Sequence, residues 1–197
     1  FLEFFSSRNR KNLKKERRKI AEQDLEIKRF TGNQISLDVV DDFYSFYVDT
    51  HLRRSGHSGY LNKDFFEEIT QTIADNILII LAYKNGRAVA GSFFFYDQNN
   101  LYGRYWGASN DFDALHFECC YYQGIDFCIE KNIKRFDPGV QGEHKIKRGF
   151  EPTFTFSSHW IENHDFSLAI SDFLLREDKY IKDYHQDAST LLPFKNI

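Results

Sequence analysis

Residues 77–106 read ILIILAYKNGRAVAGSFFFYDQNNLYGRYW, and the fold turns on this stretch. Ile77 to Tyr83 is an apolar run of strand length. Asn85-Gly86 follows, a dipeptide suited to a two-residue hairpin because both positions tolerate positive φ. Arg87 to Tyr96 returns as a second strand. Gln98-Asn99-Asn100 turns again, and Leu101 to Trp106 makes a third strand. The expectation is an antiparallel meander.

Downstream, Leu115 to Glu130 reads as a helix that Asn132 ends. Lys134-Arg135-Phe136-Asp137 is a short strand broken by Pro138-Gly139. A helix between Trp106 and Phe136 makes a crossover, so this strand is expected to run parallel to its neighbour. Gly142 to Gly149 is a polar, basic loop. Thr153 to Ile161 reads as a last strand and Phe166 to Tyr184 as a closing helix.

Upstream, Ser6-Ser7 suits a cap for a basic helix. Leu25 to Phe30 alternates like a strand, and Thr31-Gly32-Asn33 turns. A helix from Ser36 to Arg53 carries Leu37, Val40, Phe43, Tyr44 and Tyr47 on one stripe. Ser55 to Gly59 is a loop, and Asn62 caps a second helix. The fold class expected is α/β (α+β), with a mixed, mostly antiparallel sheet flanked by helices. No Gly-x-Gly-x-x-Gly or Walker motif is present, and the strand order excludes a classical dinucleotide-binding domain.

Composition fits a globular chain: of 197 residues, 42% are hydrophobic and 28% charged. Aromatics reach 17%, either an aromatic-rich core or an apolar, tunnel-like site. Net charge is −3 but uneven. Arg8 to Lys19 holds eight basic residues against one acid, Glu16, on an otherwise acidic chain. The expected division is therefore residues 1–24 as a basic helical segment, linking to a domain not in this sequence, and 25–197 as the main domain. Cys119, Cys120 and Cys128 form no Cys-x-x-Cys pair, so no metal site is expected, and a reducing cytoplasm fits best. No signal peptide and no membrane-spanning run is read. The sequence holds no Met, which suits a piece of a longer protein. It carries no signal for oligomeric state.

The order of elements resembles the GNAT acyltransferase fold. Closer resemblance lies in local sequences. Ser7 to Lys15, His116 to Asp137 and Lys145-Ile146-Lys147-Arg148-Gly149-Phe150 are similar to segments of Fem-type proteins. Leu101 to Gly107, Leu115 to Glu118, Cys120 to Gly124 and Gln141 to Lys145 resemble the bacterial FemAB-related N-acyltransferases, a group labelled peptidoglycan biosynthesis or recognition. The resemblance implies transfer of an acyl or aminoacyl group to a small-molecule or peptide amine, with acyl-CoA or aminoacyl-tRNA as co-substrate and no tightly bound cofactor. One departure matters: the Gln/Arg-x-x-Gly-x-Gly/Ala loop that ordinary GNAT enzymes use for the CoA pyrophosphate is missing.

Acyl transfer needs a base, an oxyanion partner and alignment of two substrates. Glu143 and His144, in a Gly-flanked loop, are the first candidates, with Lys145, Lys147 and Arg148 beside them for a phosphate group. His116 and Glu118 open the long helix; being two positions apart, they point to different sides of it. Arg104, Tyr105 and Trp106 lie on the strand whose backbone, by resemblance, meets the acyl carbonyl, with Gly103 or Gly107 able to allow a bulge. Arg54 and His57 fall in a loop that shapes the acceptor pocket in this fold. The adjacent cysteines are expected to be inert core residues. Two rival readings are a non-catalytic module that recognises peptide or glycan, and a nucleic-acid binder led by the basic helix.

Overall fold

The computed structural model describes residues 1–140 and 142–195. The chain divides into two compact units, Asn12–Val140 and Phe1–Lys11 with Gln141–Ile197. The division falls inside the first helix, α1 (Ser7–Glu22).

The larger unit runs β1 (Glu26–Thr31), α2 (Leu37–Ser55), α3 (Lys63–Thr72), β2 (Ile77–Lys84), β3 (Arg87–Tyr96) and β4 (Asn100–Ala108). A helical stretch follows through α4 (Leu115–Phe117), a π-helical turn (Glu118–Tyr122) and α5 (Gln123–Lys131), and β5 (Arg135–Asp137) ends the unit. The sheet order is β1-β2-β3-β4-β5. The first four strands are antiparallel neighbours, and β5 pairs parallel to β4.

Chemistry explains each element. β2 is buried along Ile77–Ala82 because both faces of the sheet are covered, which is why its sequence does not alternate. Leu78, Ile80 and Ala82 pack with Phe94, Leu101, Cys119 and Phe127 on one face. Ile77, Ile79 and Leu81 pack with Val40, Phe43, Phe46 and Phe66 on the other. Asn85 and Gly86 both take positive φ, as the hairpin requires. Ser36 and Asn62 accept from the backbone N–H groups of Val39 and Phe65, capping α2 and α3. Asn132 ends α5 in the left-handed conformation. At Gly107 a β-carbon would collide with the Phe46 carbonyl, so glycine alone lets α2 lie this close to β4.

In the smaller unit, a 3-10 turn at Glu143–Arg148 precedes Gly149. α6 (His164–Thr190) is capped by Asn163, whose side chain accepts from the Phe166 N–H. Phe5 is fully buried and bridges to Phe194.

One expectation is corrected. Thr153 to Ile161 is not a strand: it joins no ladder among the described residues. Phe156 is 93% exposed and Trp160 83%. Strand propensity measures how well a side chain fits a half-buried pleated surface, and here no such surface covers the segment.

Candidate active site

The site begins at an irregularity in β4. Phe93 lies opposite Tyr105 and Phe94 opposite Gly103, so Arg104 is an extra residue outside the ladder. β5 pairs only with Asn100, Leu101 and Tyr102. Past Tyr102, β4 therefore has no ladder partner on that side among the described residues. Its main-chain groups there need another partner, which water or a ligand supplies.

The side chains after the bulge diverge. Tyr105 packs against the α2–α3 core and Trp106 against the α4–α5 face. Arg104 is exposed, its guanidinium carbon 5.9 Å from the Tyr105 ring centroid. From Tyr105 a row of rings leads outward. Tyr105 meets Tyr47 at 5.3 Å, and Tyr47 meets His51 at 4.5 Å. His51 meets His57 at 5.7 Å, and His57 meets Tyr60 at 5.0 Å. Tyr47 and His51 share a face because they are four apart on α2. Gly59, with φ of +97°, lets the loop lie against Tyr47. The Tyr47 hydroxyl accepts from the N–H groups of Tyr60 and Leu61 at 3.2 and 3.3 Å. His57 Nδ1 accepts from the Gly59 N–H at 3.1 Å. Arg54 is exposed in the last turn of α2, while Arg53 donates to the carbonyl of Ala108 at the end of β4.

On the other face, His116 sits edge-on to Trp106 at 5.4 Å and to Tyr121 at 5.4 Å. Glu118 has its own set of partners. It is 3% exposed and accepts from Arg17 at 3.0 and 3.2 Å and from Gln123 at 2.8 Å. Arg17 also donates to Asp126 at 2.7 Å. Burial works against the Arg17 charge, but the bond to Asp126 and the charge of Glu118 outweigh it, so its pKa stands above the usual value. Glu118 is thus a buried anion already matched by a cation. The Cys119 carbonyl, within the π-helical turn, accepts from the buried Ser92 hydroxyl at 2.9 Å. Such turns inside α-helices are frequent at functional sites.

The loop joining β4 to α4, residues 109–114, is acidic and contains no glycine. Its Asp113 N–H donates to Gln23 at 3.0 Å, its Asp113 carbonyl accepts from Gln23 at 2.9 Å, and its carboxylate pairs with Lys19. α1 pins this loop. A pyrophosphate cradle needs free N–H groups and no facing carboxylates, and the residues present do not fit one.

Glu143 and His144 belong to the smaller unit, and His116 and Glu118 to the larger one. Glu143 accepts from the Tyr184 hydroxyl at 3.1 Å, which raises the Tyr184 pKa. Partial desolvation, with Arg148 and Lys145 nearby, lowers the His144 pKa. Arg148 is buried and donates to the His144 carbonyl at 2.7 Å; Lys145 is half-buried and Lys147 exposed. Gln141 lies outside the described residues.

Burial pushes the Cys128 thiol up to about 12 and Cys119 well above its ordinary value. Among the described residues no cluster of His, Cys, Asp and Glu is placed to hold a metal. A surface hollow at the β3–β4 turn is lined by Asp75, Asn76, Asp97 and Lys131. Its Asp97 is occupied by the N–H groups of Asn99 and Asn100, at 2.7 and 2.8 Å. Among the described residues no helix is long and apolar enough to cross a membrane.

The reading from sequence missed two features. Arg17 was one charge in a basic run, with nothing local to mark it. The ring row had a signal, since Tyr47 and His51 are four apart on a helix.

A meander whose last strand is bulged, joined by a helical crossover to a parallel strand that parts from it, is the GNAT-like acyltransferase fold, and solved structures agree. A possible acetyltransferase from Clostridium difficile 630 matches with a TM-score of 0.53 at 12% identity, over 71% of this chain and 99% of that one. L-PGS from Bacillus licheniformis matches with a TM-score of 0.52 at 15% identity, over 71% of this chain and 44% of that one. An acetyltransferase from Trypanosoma brucei matches with a TM-score of 0.50 at 9% identity, over 70% and 100%. A search of curated proteins returned no match. The model of the FemAB-like family, described as peptidoglycan biosynthesis/recognition, matches residues 1–196, and the chain belongs to that family.

Proposed function

We propose that this chain is an N-acyltransferase that moves an acyl or aminoacyl group to an amine of the cell envelope. The observation that carries the reading is the Arg104 bulge on a strand whose β5 side opens past Tyr102. Main-chain N–H groups there can meet a carbonyl oxygen as it becomes an anion. The acceptor nitrogen adds to the acyl carbon, the oxyanion rests on β4, and collapse expels the donor's thiolate or ribose oxygen, which takes a proton. His116, beside Trp106, takes the proton that the amine loses. No covalent enzyme intermediate forms. Glu118 holds the π-helical turn through Arg17 rather than acting as base. The ring row from Tyr105 to Tyr60, with Arg54 at its rim, receives the acceptor.

The donor we favour is aminoacyl-tRNA. The 109–114 loop does not suit a CoA pyrophosphate. Lys14, Lys15 and Arg18 are exposed on α1 and form no ion pair among the described residues, which leaves them for phosphates. On the smaller unit, Glu143, His144, Lys145, Lys147 and Arg148 form a polar loop suited by itself to hold an anionic group. A cytoplasmic location belongs to the same proposal. The family's description also names recognition, and the ring row supports a second reading, a module that binds peptide or glycan without turnover.

A transfer assay tests this, with charged tRNA and acyl-CoA offered against an amine-bearing peptidoglycan precursor. His116→Ala is expected to lower kcat by about a hundredfold while keeping the fold. Full activity in that variant removes His116 from its role, and no transfer from either donor favours the recognition module.

A further inference from the structure

We propose that α6 is a pairing surface for the α6 of a second copy of this chain, the two helices running antiparallel. Phe166, Ile170, Phe173, Glu177, Tyr180 and Tyr184 recur at alternating spacings of four and three, which lines them up along one seam of the helix. Phe166, Phe173 and Tyr180 are each more than half exposed, and Tyr184 is 42% exposed. At ~150–250 Å² per aromatic side chain, these four rings leave roughly 400 Å² of ring surface in water. An apolar patch of a few hundred Å² often marks a binding surface. With Leu174 and Ile181 alongside, two such faces bury about 1,000 Å² together, the size of a weak, reversible interface.

Charge selects the partner and its direction. In a parallel pair Glu177 meets Glu177, a like-charge contact in the seam. In an antiparallel pair Phe173 falls opposite Tyr184, Leu174 opposite Ile181, and Glu177 opposite the Tyr180 hydroxyl. The same register sets Arg176 against Asp183 twice. Neither Arg176 nor Asp183 has an ion-pair partner among the described residues. Both sides of every contact are supplied by the one sequence, as a two-fold interface requires. The inference is independent of the proposed chemistry and uses the smaller unit alone.

Sedimentation velocity and light scattering over a concentration series test it, with circular dichroism confirming that each variant stays helical. The chain is expected to be dimeric. Phe173→Glu, at an exposed position, is expected to give a folded monomer. Arg176→Asp is expected to weaken association about tenfold, and Arg176→Asp with Asp183→Arg to restore it. A wild-type monomer throughout the series overturns the proposal, and would leave the face to another segment or another protein. So does a Phe173→Glu variant that still dimerises, or a charge swap that fails to restore association.

Discussion

At the scale of single residues, Arg17 shows how a side chain within a basic run acquires a specific task. It is the cation for a carboxylate that the fold buries almost completely. Replacing it by Met leaves the buried Glu118 carboxylate with Gln123 as its hydrogen-bond partner among the described residues and without a facing cation. We expect Arg17→Met to cost about 2–4 kcal/mol in urea unfolding, and Arg17→Met with Glu118→Gln to recover most of it. A loss equal in the single and double variants contradicts the pairing. His144 gives a second test. Its pKa is lowered in the fold, chiefly by desolvation, so the unfolded chain binds the proton more readily. The His144 contribution to stability is then full above its unfolded value of about 6.5 and is lost as pH falls below it through the lower folded pKa. Lys145→Gln removes one of the two facing cations and should raise the His144 pKa seen by NMR; no change refutes the electrostatic cause. Little of this was legible beforehand. Arg17 and Glu118 are 101 positions apart, and no local pattern joins them. The i, i+4 pair Tyr47 and His51 was legible, because helical spacing is local.

Among the elements, those that advertise local chemistry were read correctly. Asn85-Gly86 fixed a hairpin, Asn62 a helix start and Asn132 a helix end, each through a backbone requirement that few residues meet. The π-helical turn was not legible: Glu118–Tyr122 reads as ordinary helix, and the turn is pinned by Ser92 from a distant strand. Thr153 to Ile161 alternates as a strand should, yet a strand needs an edge to pair with, and that edge is not in the local sequence. α1 was read as basic, but its division into an inward cation and an outward stripe needed the structure. That division makes a sharp prediction for the element. Gln at Lys14, Lys15 and Arg18 should weaken tRNA binding and flatten its dependence on salt by about three in slope. An unchanged slope places the RNA contacts elsewhere.

For the whole molecule, the fold was legible because it is set by the order of strands and helices. The meander of residues 77–106 and one crossover suffice to define it. The proposed site was legible only as a region: Arg104, Tyr105 and Trp106 were candidates, while the opening past Tyr102 depends on where β5 stops. The lack of a pyrophosphate motif was legible, but the 109–114 loop and its pinning by Lys19 and Gln23 were visible only in three dimensions. The account's central claim is an acyl-transfer site served by a donor other than CoA. A thermal-shift titration with charged tRNA, uncharged tRNA and acyl-CoA tests it most directly. At a hundred times its dissociation constant a ligand stabilises by about 2.7 kcal/mol, a rise of several degrees in Tm. The account predicts that rise with charged tRNA and none with acyl-CoA; a rise with acyl-CoA alone, or with no ligand of the three, contradicts it.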